Sequence, residues 1–168
     1  LLYTTKEILK IKKIHPQHWN KIKQKVSWQE SEIDKWNQIA TQIHFPRHPE
    51  NDIFLQQDGF LDKTIIPAST IDKSERPINQ HWSWDRILRS PFIKQADVLQ
   101  GLYLFEENFD YEFIKKHFDF YEPLTVHESS LSACVHSILA SRLGRIEKAY
   151  SLYLRTSRLD LDLSLIHI

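Results

Sequence analysis

Apolar positions recur at helical spacing over most of this chain, interrupted once by a long stretch without periodicity. Near the N-terminus, Trp28, Ile33, Trp36, Ile39, Ala40 and Ile43 fall close to i, i+3, i+4 spacing. That pattern predicts amphipathic helices with a solvated lysine face. From Pro91 onward the pattern is helix after helix. Pro91 suits a first helical turn, and Ile93, Val98, Leu102 and Phe105 form a stripe to about Glu107. Tyr111 to Phe120 predicts a short helix stopped ahead of Pro123. Leu131, Val135, Ile138, Leu139 and Leu143 then line one face of a helix closed by Gly144, a natural residue for a helix end. Ile146, Ala149, Tyr150 and Tyr153 open the next. The class this predicts is all-α.

Between Phe45 and Pro91, five prolines (Pro46, Pro49, Pro67, Pro77, Pro91) forbid a long helix. Ile53 to Gln57 reads as a short extended piece and Asp58-Gly59 as a turn. The rest is an irregular connection rich in Trp, Asp and Gln. A loop this long inside a compact chain is functional or disordered, and its aromatic content argues against disorder.

Composition changes this picture in a few places. With 168 residues the chain can build one ordinary core, and 22 basic residues cancel 22 acidic ones. No global charge therefore points to nucleic acid or to an anionic membrane. Through His48, nine Lys or Arg face four acids, a net of +5, but the helical periodicity there favours a solvated face over a nucleic-acid patch. No apolar run is long enough for a bilayer, and residues 1–13 are too polar for a signal-peptide core. One cysteine, Cys134, allows neither an internal disulfide nor a cysteine zinc cluster. The chain starts at Leu1 and contains no methionine, which reads as a piece of a longer open reading frame. Residues 163–168 match the translation of a transposon end used in sequencing libraries. They are expected to be adapter read-through, with a short apolar strand as the alternative.

Three clusters carry candidate chemistry. Thr125 to Ser132 runs into the helix near Leu131 with three serines, His127 and Glu128. A serine at a helix start ordinarily caps backbone N–H groups. Several hydroxyls and an imidazole at the positive end of a helix also suit a phosphate or an oxyanion. Lys94, Gln95 and Asp97 follow Pro91 with donors and acceptors suited to sugar hydroxyls; a surface Lys94–Asp97 pair is the plainer alternative. Trp82 and Trp84 fall on one side of an extended segment, where they suit a sugar face or simply close the core. No metal is expected: His44 and His48 have Pro46 between them, and His127 and His136 are too far apart in register. The three glycines are scattered, so there is no phosphate loop.

Three long blocks, Phe54 to Lys63, Arg76 to Asp85 and Ile93 to Gly101, together with Phe118 to Ala140, resemble the inverting disaccharide phosphorylases of glycoside hydrolase family 65. The resemblance runs in register from about Phe45 to Asp162. It implies a fragment of an (α/α)6 barrel over residues 1–162, carrying the long Trp- and Pro-containing loop. It further implies phosphorolysis of an α-glucosyl disaccharide with inversion, maltose before trehalose or kojibiose, giving β-glucose 1-phosphate. A related inverting hydrolase is the alternative, with Glu128 as its base. Lys94 and Gln95 are implied to hold the glucosyl unit, and His127, Ser129 and Ser130 to bind phosphate. The general-acid glutamate has no counterpart here and is expected upstream of Leu1, so the chain alone is expected to be inactive. The partners implied are the disaccharide and inorganic phosphate, with no metal or cofactor, in a cytoplasmic protein that is a homodimer when complete.

Overall fold

The computed structural model describes residues 1–164, with side chains through residue 158 other than Ser130. Of the suspected read-through, residues 165–168 lie outside the described residues. No strand occurs among the described residues, and no helix there is long and apolar enough to cross a membrane. The chain divides into two compact units, Leu1–His44 and the remainder from Phe45.

The first unit holds α1 (Leu2–Ile14), α2 (Pro16–Lys25) and α3 (Ser31–Gln42). Its core is a tryptophan cluster. Trp28 lies edge-on to Trp19 at 5.4 Å and to Trp36 at 5.5 Å, with Ile33 beneath. The lysines stay outside, and Lys12 and Lys23 converge on Glu30. The predicted stripe therefore holds at Ile33 and Trp36 but ends early, because Ile39 and Ile43 are exposed.

The second unit begins with the predicted irregular segment. Its backbone is tied down in short pieces. An antiparallel bridge joins Arg47 to Phe54, and single helical turns follow at Phe60–Asp62, Ala68–Thr70 and Lys73–Glu75. The short helices α4 (Ile78–His81) and α5 (Trp84–Arg89) complete it. Phe60 and Ile78 anchor these pieces, both fully buried. Gly59 takes a left-handed turn at φ +70°, which glycine adopts without steric cost. His117 fastens the segment to the helices: its Nε2 accepts from the Phe54 N–H at 2.8 Å, and its Nδ1 bonds the Phe113 carbonyl. The Tyr121 hydroxyl donates to the Phe54 carbonyl.

Four longer helices follow: α6 (Asp97–Leu104), α7 (Tyr111–Tyr121), α8 (Ser130–Arg142) and α9 (Ile146–Ser164). Leu99, Leu102, Phe118 and Leu139 form the centre of their core. Gly144, at φ +71°, turns α8 into α9, with the Arg145 N–H returning to the Ala140 carbonyl.

Four predicted details are corrected. Pro91 does not start a helix; α6 begins at Asp97, because the Ile93 backbone bonds across to residues 124 and 126 instead. Trp82 and Trp84 do not share an extended segment, since Ser83 caps α5 between them and sends them apart. On α8 the buried face is Ser132, Ala133, Val135, His136, Leu139 and Ala140, while Leu131 is 61% exposed. Small residues there let α9 approach closely, as shown by the Ser137 hydroxyl reaching the Ala149 carbonyl at 2.8 Å. On α9, Ala149 and Leu152 are buried and Ile146, Tyr150 and Tyr153 face outward.

Candidate functional site

One short backbone pairing brings two of the sequence clusters together. Ile93 donates to the Leu124 carbonyl at 2.9 Å and accepts from Val126 at 3.0 Å, a parallel bridge between residues 93 and 125. Lys94 and Gln95 thereby run alongside Val126 and His127.

Lys94 and Gln95 lie on the turn before α6 and border an open cleft of about 270 Å³. Trp84, 64% exposed, forms one wall, and the Lys94 ammonium sits 5.0 Å from its ring centroid. The Lys94–Asp97 pair is not made. Asp97 instead accepts from Gln56 Nε2 at 3.0 Å, and Gln56 and Gln57 supply amides to the same cleft. The result is an aromatic face ringed by amides, an ammonium and a carboxylate, the mixture a sugar requires. Lys63 belongs to the wall rather than the site. It bonds the Leu88 and Ser90 carbonyls, and partial burial lowers its pKa. Trp82 packs into the core, with Arg86 over its ring.

At the start of α8, Ser129 occupies the cap position, yet its side chain makes no cap bond. The Ser132 hydroxyl donates to the Ser129 carbonyl at 3.1 Å, and no acidic residue stands in the first turn. The first turn itself thus carries no side-chain carboxylate to offset the positive end of the helix. Ser130 is the first helical residue, and its side chain lies outside the described set. His127, at φ +52°, turns its ring inward and is nearly buried.

Two carboxylates brace this turn. Both oxygens of Glu128 are engaged: one accepts from Arg76 Nε at 2.9 Å, the other from the Ile78 N–H at 2.8 Å. The same Arg76 donates to the Val126 carbonyl, so one guanidinium holds both flanks of His127. Glu122 accepts from Lys148 at 2.8 Å and lies 3.7 Å from His127 Nε2, beyond hydrogen-bond range. His127 and Lys148 together outweigh burial and hold the Glu122 carboxyl down at about 2.

Sequence reasoning set the His127–His136 pair aside as too far apart in register, and the structure brings the two rings together. The His136 ring meets that of His127 edge-on, centroids 4.6 Å apart and planes at 88°. The signal was present, since Ser132, His136, Leu139 and Leu143 share one face of α8. Gln56 and Asp97 border both the open cleft and a narrow crevice that His136 also lines. His136 thus touches both the crevice beside Asp97 and the His127 ring.

The model of the glycosyl hydrolase family 65 central catalytic domain matches residues 2–166. The chain belongs to glycoside hydrolase family 65. Its helices are a part of that family's (α/α)6 barrel. The maltose phosphorylase of Bacillus subtilis (strain 168) is 54% identical over 134 residues, 80% of this chain and 18% of that protein. An alpha,alpha-trehalose phosphorylase of Thermoanaerobacter brockii is 39% identical over 153 residues, 91% of this chain and 20% of that one. A kojibiose phosphorylase of Halothermothrix orenii is 36% identical over 141 residues, 84% and 18%. A solved structure named "Putative kojibiose phosphorylase from human microbiome" superposes with a TM-score of 0.74 at 38% identity, covering 86% of this chain and 20% of that one. The family 65 chain therefore spans about a fifth of the length of the relatives it matches.

Proposed function

We propose that this chain supplies the glucosyl- and phosphate-binding part of an inverting disaccharide phosphorylase acting on maltose. The observation that carries the reading is the bridge between residues 93 and 125. It sets an amide- and tryptophan-lined cleft beside a helix start whose serine is free of any capping duty. In this reading Lys94 and Gln95 hold the glucosyl hydroxyls, and Ser129, Ser130 and the first-turn N–H groups of α8 hold the phosphate. His127 shapes that subsite from behind. A general-acid glutamate from elsewhere in the catalytic domain protonates the glycosidic oxygen. Phosphate attacks the anomeric carbon from the opposite face, giving β-glucose 1-phosphate and glucose.

Maltose is preferred over trehalose and kojibiose because the maltose phosphorylase shares 54% identity with this chain, against 39% and 36% for relatives named for the other two sugars. Hydrolysis is disfavoured. An inverting hydrolase needs a carboxylate free to activate water, and both oxygens of Glu128 are already engaged by Arg76 and Ile78. With phosphate as co-substrate and a sugar phosphate as product, we place the reaction in the cytoplasm and take the complete protein as a homodimer.

The test is made on a complete family 65 catalytic domain carrying these residues. Maltose, trehalose and kojibiose are supplied in turn, with and without phosphate, and β-glucose 1-phosphate is assayed. Phosphate-dependent release from maltose is expected. Release of free glucose at the same rate without phosphate would sink the reading.

A further inference from the structure

Behind the Ser129 turn lie four ring nitrogens with no hydrogen-bond partner among the described residues, the Nδ1 and Nε2 atoms of His127 and His136. His136 is fully buried on the inner face of α8, edge-on to His127 and 5.7 Å from the Phe118 ring. Packing alone gives no reason for an imidazole there. A leucine fills a similar space and leaves nothing unsatisfied, whereas an unpartnered buried polar atom costs stability.

His127 adds a second oddity. Its backbone is left-handed at φ +52°, uncommon for a residue with a side chain. Such a conformation persists only where the surroundings over-determine it. On one flank the Val126 N–H bonds the Ile93 carbonyl and the Val126 carbonyl accepts from Arg76. On the other, Glu128 is held by Arg76 and Ile78. The backbone of the turn is thus tied on both sides, and the His127 ring rests on His136.

We propose that His136 is a positioning residue of the anion subsite, holding the His127 ring and through it the turn that presents Ser129 and the first turn of α8. The proposal rests on the phosphate reading given above. His136 itself touches no substrate. The charged groups around the pair are Glu122, 3.7 Å from His127 Nε2, Lys148 bonded to Glu122, and Asp97 in the crevice that His136 lines. None of them bonds either ring, so the His127 ring is held by its edge contact with His136 while the backbone is held by Ile93, Arg76 and Ile78.

The complete catalytic domain carrying this chain is assayed with maltose and inorganic phosphate, as wild type, His136→Leu and His136→Asn. For His136→Leu the KM for phosphate is expected to rise about tenfold while the KM for maltose moves less than about twofold. His136→Asn, which keeps an amide but removes the ring edge, is expected to raise the phosphate KM as His136→Leu does. An unchanged phosphate KM, or equal rises in both KM values, would overturn the role of His136 and leave the phosphorylase reading standing. A wild type that turns maltose over without phosphate would overturn both. Should His136→Leu fail to fold, phosphate titration of the histidine-labelled wild type decides. Ring resonances of both His127 and His136 should move with added phosphate, and a still His136 signal would end the proposal.

Discussion

Ser129 occupies a cap position where a serine hydroxyl ordinarily accepts from the backbone N–H two or three residues on, and here it makes no such bond. The two uses of that serine, cap or ligand, are therefore separable by measurement. Ser129→Ala should cost well under the about 1 kcal/mol of a working cap. In the complete catalytic domain it should raise the KM for phosphate about tenfold. Thermal unfolding reads the first effect and steady-state kinetics the second. Lost stability with an unchanged phosphate KM would return Ser129 to ordinary capping. Glu128 shows the same logic from the other side. Sequence offered it as a base, but its two oxygens meet Arg76 and Ile78, so it braces the turn.

At the scale of elements, α8 carries the proposed anion subsite and also a pH liability. Burial, with smaller help from the neighbouring His127, pushes the His136 imidazole down to about 3 from its ordinary 6.5. The folded protein keeps it neutral where the unfolded chain takes up a proton. Below pH 6.5 the unfolded state thus binds more protons, and stability falls as pH drops from 6.5 toward 3, by up to about 1.4 kcal/mol per pH unit. His117, lowered mainly by burial, adds in the same direction. Glu122 acts in a lower window: its contribution is present above 4.5 and is lost as pH falls toward 2. Denaturant midpoints at successive pH values should show His136→Leu with a shallower slope between pH 6.5 and 5. An unaltered slope would mean that His136 does not stay neutral when folded. How much of this was legible follows from what each feature depends on. Local spacing placed α3, α7, α8 and the Gly144 turn, because 3.6-residue periodicity and a left-handed glycine are local properties. It misplaced the start of α6 because the Ile93 backbone is committed to residues 124 and 126, about thirty positions away. For the same reason the Lys94–Gln95 and His127–Ser130 clusters were each visible in sequence, while their adjacency and the His136 contact were not.

For the whole molecule, the decisive inventory is of carboxylates around the proposed subsites. Inverting phosphorolysis requires a carboxylic acid able to give its proton to the glycosidic oxygen. Asp97 accepts from Gln56 at the cleft, Glu128 is engaged at both oxygens by Arg76 and Ile78, and Glu122 is held ionised near 2 by His127 and Lys148. Each is engaged with its own partner, and an acid held near 2 carries no proton at neutral pH. The groups proposed to bind the two substrates are therefore gathered in this chain, while a proton donor for the leaving group is not found among the three carboxylates bordering the proposed site. The 168 residues supplied alone with maltose and phosphate are expected to release no glucose 1-phosphate, whereas a complete catalytic domain carrying them does. Measurable phosphorolysis by the isolated chain would overturn this, and the three bordering carboxylates would be the first to test as the acid. Asp97→Asn, Glu122→Gln and Glu128→Gln would then identify which, since only the true donor should abolish turnover while leaving maltose binding intact.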